Sequence, residues 1–447
     1  MKKGFDFIEK EPSRTMRLSQ LSMYVTVYLC LCLIVNVALV VFFMTEHKQR
    51  KNQPLAALAS PGVSSSQITE ELHLPNGQIL GCSNLHAVTN LTVIGAGWTK
   101  AVYKAYYKDR WVAIKTVHTG GHDMTNCHTD VSVCYQQCAS KILKESLLLQ
   151  QLAHSNVVKV LGECDPGVDY SPGPPVVGLV SIVTELGQPL DVIKILQMSF
   201  ENRLQLAYDV GKILQHLAAS PLGPLLMKDF RRQQFVVVDG VLKLSDVDDL
   251  VIGDPHCTRD DECVMMDDNT GSTIVNLTCQ AGICRGFNSR LNAVYAGRHF
   301  IRLLIPYGCP EPLEAGAIDI VNQQLSGILS SEDVYFRVHQ LVKIYSSGAY
   351  LTEFDKRFIS DYTIHPGVTI ENSDFPCLKT VISTGCVQSV SSPSEGAWLC
   401  SQMSSCQAFI INDDYTWTGR QVAVFKSSVS KLKESKHQTL YICRGQG

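Results

Sequence analysis

Gly95-Ala96-Gly97-Trp98-Thr99-Lys100-Ala101-Val102 decides the fold when it is taken with Val112-Ala113-Ile114-Lys115, which ends twenty residues after Gly95. The flanking sequence is rich in β-forming residues, which predicts a strand, a glycine turn and two further strands. Glycines let a backbone approach a phosphate without a Cβ clash. A lysine inside an otherwise buried strand needs a carboxylate or phosphate partner. Each feature alone has an ordinary explanation: the glycines could form a simple β-turn, and Lys115 could face solvent from an edge strand. The rest of the sequence is therefore needed to choose between these explanations and a phosphate site.

Further elements follow downstream in order. Residues 141–152 have helical periodicity and carry Glu145, residues 176–184 form a predicted buried strand, and residues 203–218 form an amphipathic helix. Later helices are predicted at about 290–304, 314–328 and 333–346. The chemical landmarks among these elements are Thr184-Glu185-Leu186-Gly187, the loop Met227–Phe235, the hairpin signal Asp239-Gly240 and Ser245-Asp246-Val247-Asp248.

In this order the elements resemble the protein-kinase family. The resemblance implies a bilobal α+β fold, with an N-lobe (81–184) and a C-lobe (188–360) inside a kinase domain of 81–360, and it implies ATP with Mg²⁺ or Mn²⁺ as cofactors. Lys115 would hold the α- and β-phosphates, Glu145 would orient Lys115, and Asp229 would handle the acceptor hydroxyl. The implied nucleotide contacts are Ile94, Gly95, Ala96, Gly97, Lys100, Val102, Lys115, Glu185 and Leu186, and the implied metal ligands are Asp246 and Gln234.

The sequence departs from the kinase pattern at several of these places. Lys100 stands where the third glycine belongs, Gln234 replaces the asparagine of the catalytic loop, and Val247-Asp248 replaces Phe-Gly. Met227-Lys228 also replaces the His-Arg that precedes the catalytic aspartate. These departures leave two alternatives to an active protein kinase: a pseudokinase that serves as a scaffold, and a glycan kinase with the same fold.

The departures narrow the resemblance to kinases of the secretory pathway. Gly97–Tyr103, Thr184–Gly187 and Trp417–Gln421 are similar to the vertebrate lonesome kinases, a family of extracellular tyrosine-protein kinases, and the similarity covers residues 82–447. It implies phosphorylation of tyrosines on secreted and extracellular-matrix proteins, in the Golgi lumen and outside the cell. It also implies a role in skeletal and organ development.

An uncharged apolar segment near the N-terminus indicates how the chain reaches that compartment. Residues 18–45 carry no charged side chain, and this segment is long enough to be an uncleaved signal anchor. A cleaved signal peptide is the alternative. Residues 1–17 would then be cytosolic and residues 46–80 a flexible stem. The acceptor sequences at Asn90 and Asn276 would be luminal and open to N-glycosylation.

Composition excludes two other classes of protein. The 447 residues carry a formal net charge of −3, which excludes a broadly basic nucleic-acid binder. A hydrophobic content of 45% excludes an intrinsically disordered chain.

The 17 cysteines fit an oxidising compartment. Two lie in the apolar segment, so 17 − 2 leaves 15 beyond it, an odd number that leaves at least one without an intrachain partner. Cys127, Cys134 and Cys138 are predicted to lie in an insert ahead of the Glu145 helix. Four more follow Asp246 and predict an activation segment ordered by disulfides, with zinc binding as the alternative. A cysteine-bearing C-terminal module is predicted at 361–447.

Overall fold

The computed structural model describes residues 80–167, 176, 178–267, 271–377 and 385–444. The predicted cytosolic N-terminus (1–17), the predicted anchor (18–45) and all but the last residue of the predicted stem lie outside this part of the chain. Within it, no helix combines the length and the apolar character needed to cross a membrane. The described part is a mixed α and β structure with several separate sheets.

The first half of the described chain forms an antiparallel sheet of five strands in the order β1-β2-β3-β5-β4. The glycine turn joins β1 to β2 as predicted, and β3 lies in the middle of the sheet, with β2 on one side and β5 on the other. This central place buries β3 on both faces, from Val112 to Val117. The strands are β1 (Thr89–Ala96), β2 (Lys100–Tyr107), β3 (Arg110–Val117), β4 (Val160–Cys164) and β5 (Ser181–Glu185).

Three helices accompany this sheet: α1 (Cys82–Leu85), α2 (His122–Thr125) and α3 (Val131–Gln151). Helix α3 begins ten residues before the predicted start at residue 141, capped by the Asp130 side chain, which accepts a hydrogen bond from the Ser132 amide. The prediction that Cys134 and Cys138 precede the helix is therefore wrong, since both lie on it. Val131 and Val133 of its first turn are exposed, and the buried face of the early turns is formed by Cys134, Tyr135, Cys138 and Ala139. These residues lack the large aliphatic side chains from which the later turns were recognised in the sequence.

The helical half is built around α5 (Phe200–Ala218), which packs along α9 (Ser331–Ser347). The predicted helices near 290–304, 314–328 and 333–346 are all present within a few residues. The Asp239-Gly240 hairpin is confirmed between β8 and β9, and both of its residues have positive φ, as a tight turn requires. The other elements here are β6 (Gln188–Pro189), α4 (Val192–Gln197), β7 (Leu225–Met227), β8 (Phe235–Val238), β9 (Val241–Leu244), β10 (Leu250–Ile252), α6 (Phe287–Ala296), α7 (Arg302–Leu304) and α8 (Glu311–Leu325).

The segment that follows Asp246 is held by two disulfides, Cys257–Cys279 and Cys263–Cys284. They enclose the hairpin of β11 (Val264–Met266) and β12 (Thr273–Asn276), and three of the four cysteines belong to a buried cluster with residues of β7 and α6. Because all four sulfurs are bonded to one another in pairs, the zinc alternative is wrong. The two disulfides that the predicted ordering of this segment requires are therefore present.

The C-terminal region forms a second antiparallel sheet of five strands, in the order β13-β17-β15-β16-β14, with a core of its own around Phe409 and Phe425. Disulfides Cys377–Cys386 and Cys400–Cys406 lie in it. Its elements are β13 (Tyr362–Ile370), β14 (Cys386–Val390), α10 (Pro393–Ser401), β15 (Ala408–Tyr415), β16 (Gln421–Lys426) and β17 (Leu432–Cys443). The domain boundaries drawn from the sequence, 81–360 and 361–447, stay a prediction.

A buried ionic cluster joins this sheet to α5 and α9; we call it the docking cluster, and its members are Glu201, Tyr345, Ser389, Glu395 and Arg420. The Arg420 guanidinium contacts Glu395 Oε1 at 2.5 Å and donates to the Tyr345 carbonyl at 2.5 Å and to the Ser389 carbonyl at 2.8 Å. Ser389 Oγ donates to Glu201, which also accepts from Thr416 Oγ1 at 2.5 Å. All five members of this cluster line a cavity of about 540 Å³, and the lining contains none of the predicted site residues.

Six disulfides occur in the described part of the chain, and the remaining two join Cys82 to Cys164 and Cys127 to Cys134. Cys138, Cys309 and Cys443 form no disulfide. The odd count had required at least one such cysteine, and this prediction is confirmed.

Candidate active site

Lys115 and Glu145 form a buried ion pair, as the kinase resemblance predicts. Lys115 Nζ lies 2.6 Å from Glu145 Oε1 and donates to the carbonyl oxygen of Ser245 at 2.5 Å. Lys115 is 5% exposed and Glu145 is fully buried. The alternative of a solvent-facing edge lysine is wrong because β3 is a central strand and its lysine points at α3.

Lys100, the residue in place of the third glycine, adds a second cation to this pair. Its ammonium lies 2.5 Å from Glu145 Oε2, 2.8 Å from Asp246 Oδ1 and 3.0 Å from Asp248 Oδ2. We call this set the cleft cluster: Lys100, Lys115, Glu145, Asp246 and Asp248. Sequence reasoning treated Asp248 only as a departure from glycine, and its contact with a lysine 148 positions earlier had no sequence signal.

Within the cleft cluster, the neighbouring charges raise the pKa of Lys100 and lower the pKa of Asp246. Burial opposes a charge on Lys100, but the carboxylates of Glu145, Asp246 and Asp248 outweigh burial and hold the pKa of the ammonium above its usual value. Burial likewise opposes the charge on Asp246, but the ammonium groups of Lys100 and Lys115 lower its pKa to about 2. Lys100 and Asp246 are therefore both ionised at neutral pH.

Asp229 lies in the loop between β7 and β8, close enough to Asp246 for the two carboxylates to repel each other. A hydrogen bond from Arg231 lowers its pKa, against the effect of burial, and Gln234 lowers it further. Arg231 Nη2 lies 2.6 Å from Asp229 Oδ2, and Gln234 Nε2 lies 2.5 Å from the same oxygen. The Asp229 amide donates to Asp249 Oδ2 at 2.6 Å, which fixes the start of the loop. The result is a half-buried carboxylate that is held in place and ionised.

The donor atoms in the cleft suit a divalent cation. One oxygen from each of Glu145, Asp246 and Asp248 lies within 4.8 Å of the other two, and an all-oxygen carboxylate set is the kind that Mg²⁺ and Mn²⁺ prefer. Lys100 now makes the neutralising contacts with these three groups. The Gln234 amide is engaged with Asp229, so its predicted role as a metal ligand stays a prediction.

The glycine turn is open on its outer side. A Cβ added to Gly95 or Gly97 would meet no atom closer than 3.6 Å, and neither glycine has a positive φ. Neither packing nor backbone conformation therefore requires glycine at these two positions. Close approach of a phosphate to the backbone would explain why glycine occurs there. Ile94, Gly95, Ala96 and Gly97 all lie on this accessible turn or at its edge, and Val102 lies next to Lys115 in the neighbouring strand.

At the end of β5, Glu185 and Leu186 occupy the predicted hinge. The Glu185 carboxylate is bound by Lys243 Nζ at 2.7 Å, so this side chain ties the hinge to β9. The Glu185 amide donates to Lys159, while its carbonyl accepts from Thr184 Oγ1 at 3.2 Å and keeps a second lone pair. The proposed adenine contacts of Glu185 and Leu186 stay a prediction.

A β-rich half with a Lys–Glu ion pair, a helical half with a fixed aspartate and a metal-compatible carboxylate set between them define the class of a bilobal protein kinase. No family model matches the chain. The human extracellular tyrosine-protein kinase PKDCC is 33% identical to it over 371 residues, which cover 82% of this chain and 74% of that relative. The chain therefore belongs to the PKDCC family of protein kinases, whose members use ATP with a divalent cation.

Proposed function

We propose that this protein is an active kinase that transfers the γ-phosphate of ATP to tyrosine residues of secreted and extracellular-matrix proteins. The observation that carries the proposal is the buried contact of Lys115 with Glu145, which Lys100 links to Asp246, together with the electrostatic proximity of Asp246 to Asp229. The specificity for tyrosine rests on the similarity to the human extracellular tyrosine-protein kinase and on the sequence resemblance.

Phosphoryl transfer depends mainly on positioning and on electrostatic stabilisation. Lys115, held by Glu145, supplies a fixed positive charge for the α- and β-phosphates. Lys100 lies on the strand that follows the glycine turn and supplies a second positive charge. A divalent cation held by Asp246 with Asp248 and Glu145 would neutralise charge on the phosphates.

Asp229 orients the acceptor hydroxyl and accepts its proton. Its lowered pKa makes it a weak base, which suits a transition state in which the hydroxyl loses its proton late. Arg231 and Gln234 keep the carboxylate in one orientation, so the acceptor oxygen meets a fixed partner.

The secretory compartment is part of the proposal. Six disulfides are compatible with an oxidising lumen and are rare in cytosolic proteins. Asn90 and Asn276 are both exposed, as N-glycosylation requires. We also propose that the N-terminal apolar segment delivers the chain to the Golgi lumen, and that the kinase acts there and outside the cell in skeletal and organ development.

A scaffold without catalytic activity is the second candidate. Two observations favour it: Lys100 contacts all three carboxylates of the presumed metal site, and the Gln234 amide is engaged with Asp229. Under this hypothesis the cleft cluster is a structural ion-pair network and does not exchange its partners.

The test uses protein secreted from eukaryotic cells and incubated with γ-labelled ATP, Mn²⁺ and one of three acceptors: a tyrosine peptide, the same peptide with serine, and a glycan. We expect labelling of the tyrosine peptide alone, and none with Lys115→Met. Labelling of the serine peptide or of the glycan would contradict the assigned acceptor. No labelling with any acceptor, from protein that binds ATP and is folded, would support the scaffold.

A further inference from the structure

A basic surface lies beside Asp229, and the aromatic packing beneath it fixes its place. The Phe300 ring lies 5.8 Å from the ring of Phe230, the residue after Asp229, and 4.9 Å from that of Phe235. All three rings are buried. The segment that carries Phe300 is therefore attached to the catalytic loop through a shared apolar core.

This segment is a π-helical turn, Gly297–Ile301, inserted between α6 and α7. Such turns are rare, occur mostly as single turns inside α-helices and are frequent at functional sites. Here the turn carries Arg298 and His299, and Arg302 comes directly after it.

The side chains around this turn are basic. We use the name basic surface for Arg231, Arg232, Arg298, His299 and Arg302. Arg232 Nη1 donates to the His299 carbonyl at 2.9 Å, which joins the catalytic loop to the π-helical turn. Burial and then the charges of the four arginines lower the pKa of His299, as expected for a histidine among cations.

Part of this positive charge is not neutralised within the described chain. Arg231 pairs with Asp229 and Arg298 pairs with Asp267, whereas Arg232 and Arg302 form no ion pair among the described residues. The Arg231 side chain is 61% exposed, and Arg302 is exposed as well. An anionic partner bound here would gain charge-assisted contacts and would not have to displace an existing carboxylate from Arg302.

We propose that the basic surface binds acidic residues that flank the acceptor, so that the preferred substrates are acidic peptide segments. This inference rests on the proposed phosphotransfer at Asp229. Its basis is charge complementarity combined with position: Arg231 contacts Asp229 itself, so whatever lies over the basic surface lies next to the accepting hydroxyl. A peptide that presents a side chain to Asp229 continues across this surface, whereas a free sulfated glycan has no reason to bind beside the transfer site.

Binding is measured first, with peptides in which phenylalanine replaces the acceptor tyrosine, so that the result does not depend on catalysis. The flanking positions hold either glutamate or glutamine, and fluorescence anisotropy gives the dissociation constants. We expect the acidic peptide to bind wild-type protein about tenfold more tightly at low salt, with the advantage shrinking in 0.5 M salt as screening increases. Equal binding of the two peptides would overturn the proposal.

Arg302→Glu is the decisive variant, and Arg357→Glu, at another exposed arginine far along the chain, is its matched control. We expect Arg302→Glu to abolish the preference for the acidic peptide and to favour a lysine-flanked peptide, while Arg357→Glu keeps the wild-type preference. Arg302→Gln, a milder change, should reduce the preference by roughly threefold if Arg302→Glu does not fold, since only one of several charges is removed. The same preference in both variants and the control would overturn the proposal.

Tyrosine peptides with the same flanks then separate this inference from the proposed function. Phosphotransfer with no difference in kcat/KM between the acidic and neutral peptides would overturn the basic surface and leave the kinase assignment intact. Selective binding of the acidic peptide without phosphotransfer would overturn the kinase assignment and support the surface. Heparin that binds in an Arg302-dependent way while the acidic peptide does not bind would show that the surface recognises sulfated glycans, against the proposal.

Discussion

The cleft cluster and the docking cluster are both buried ionic networks, but they differ in how exposed their charged side chains are and in what surrounds them. In the docking cluster Arg420 is 1% exposed, Glu395 is fully buried, and every charged group contacts a fixed partner of the same chain. In the cleft cluster Asp246 and Asp248 are about a third exposed or less, and the open glycine turn lies beside Lys100. The first arrangement joins two parts of the chain and also lines the cavity of about 540 Å³. The second has partly exposed carboxylates and lies beside the glycine turn.

Under the proposed function, buried charge serves stability in the docking cluster and chemistry in the cleft cluster. A buried pair contributes little over an apolar substitute but is very costly to break on one side, which suits an interface that must form in a single way. A partly open network can exchange partners, because a phosphate or a cation can replace one ammonium or carboxylate contact by another. Breaking each cluster should therefore produce different results.

The largest effect on stability is expected from Arg420→Ala. This change leaves the Glu395 carboxylate buried without its cation, which should lower the free energy of unfolding by about 3–5 kcal/mol. Urea unfolding of the purified protein measures it. The double variant Arg420→Met with Glu395→Met removes both charges and should recover much of the loss. A loss below about 1 kcal/mol in the single variant would contradict a closed cluster.

The next effect concerns the two disulfides near the cleft. Loss of Cys257–Cys279, with its separation of 22 residues, should cost about 3 kcal/mol of local order. We expect Cys257→Ser and Cys279→Ser, made singly, to reduce phosphotransfer strongly in an assay of the secreted protein. Cys400→Ser in the C-terminal sheet is the matched control, which should lower stability and spare activity. Full activity in both Cys257→Ser and Cys279→Ser would refute ordering of the segment by disulfides.

A third expected effect follows from removing one cation of the cleft cluster. Lys100→Met should lower kcat/KM for phosphotransfer about hundredfold, which corresponds to about 2.7 kcal/mol, because a charge that faces the phosphates is lost. Its free energy of unfolding should fall much less than that of Arg420→Ala. Lys104→Met on the same strand, whose ammonium lies over Trp111, is the control. Wild-type kinetics in Lys100→Met would assign Lys100 a structural role only.

The smallest effect is a difference in acid stability. The pKa of Asp246 is lowered to about 2 in the folded protein, so its stabilising contribution is present above the usual carboxyl value and is lost as the pH falls from about 4 to about 2. In Lys100→Met the pKa of Asp246 should rise, and this part of the acid loss should shrink. Unfolding free energies of both proteins between pH 5 and pH 2 give the comparison; parallel curves would exclude the Lys100–Asp246 coupling.

Local patterns predicted much of the fold. Asp239-Gly240 specifies its own turn, and helices α5, α8 and α9 have regular apolar periodicity, so nearby residues suffice to identify them. The Lys115–Glu145 pair was predicted because the motif order of a known family supplied the distant contact.

Contacts between distant residues without a family motif could not be predicted. The Lys100–Asp248 contact joins the start of the sheet to the segment after β9, and neither residue type at these places belongs to the kinase pattern. The buried face of the early turns of α3 consists of cysteine, tyrosine and alanine and not of large aliphatic residues, so its periodicity is weak in the sequence. The Cys127–Cys134 disulfide also holds these turns. The pairing of cysteines likewise depends on which of them the completed fold brings together.

Asp229→Asn tests the central claim most directly, since the substitution preserves size and most hydrogen bonds while removing the charge that meets the acceptor hydroxyl. The measurement is the transfer of labelled γ-phosphate to a tyrosine peptide by wild-type and Asp229→Asn protein, with urea unfolding to show that both are folded. We predict transfer by the wild type and a loss of at least about hundredfold in the variant. Equal transfer by both proteins would contradict the assignment of Asp229 and of the cleft as the active site.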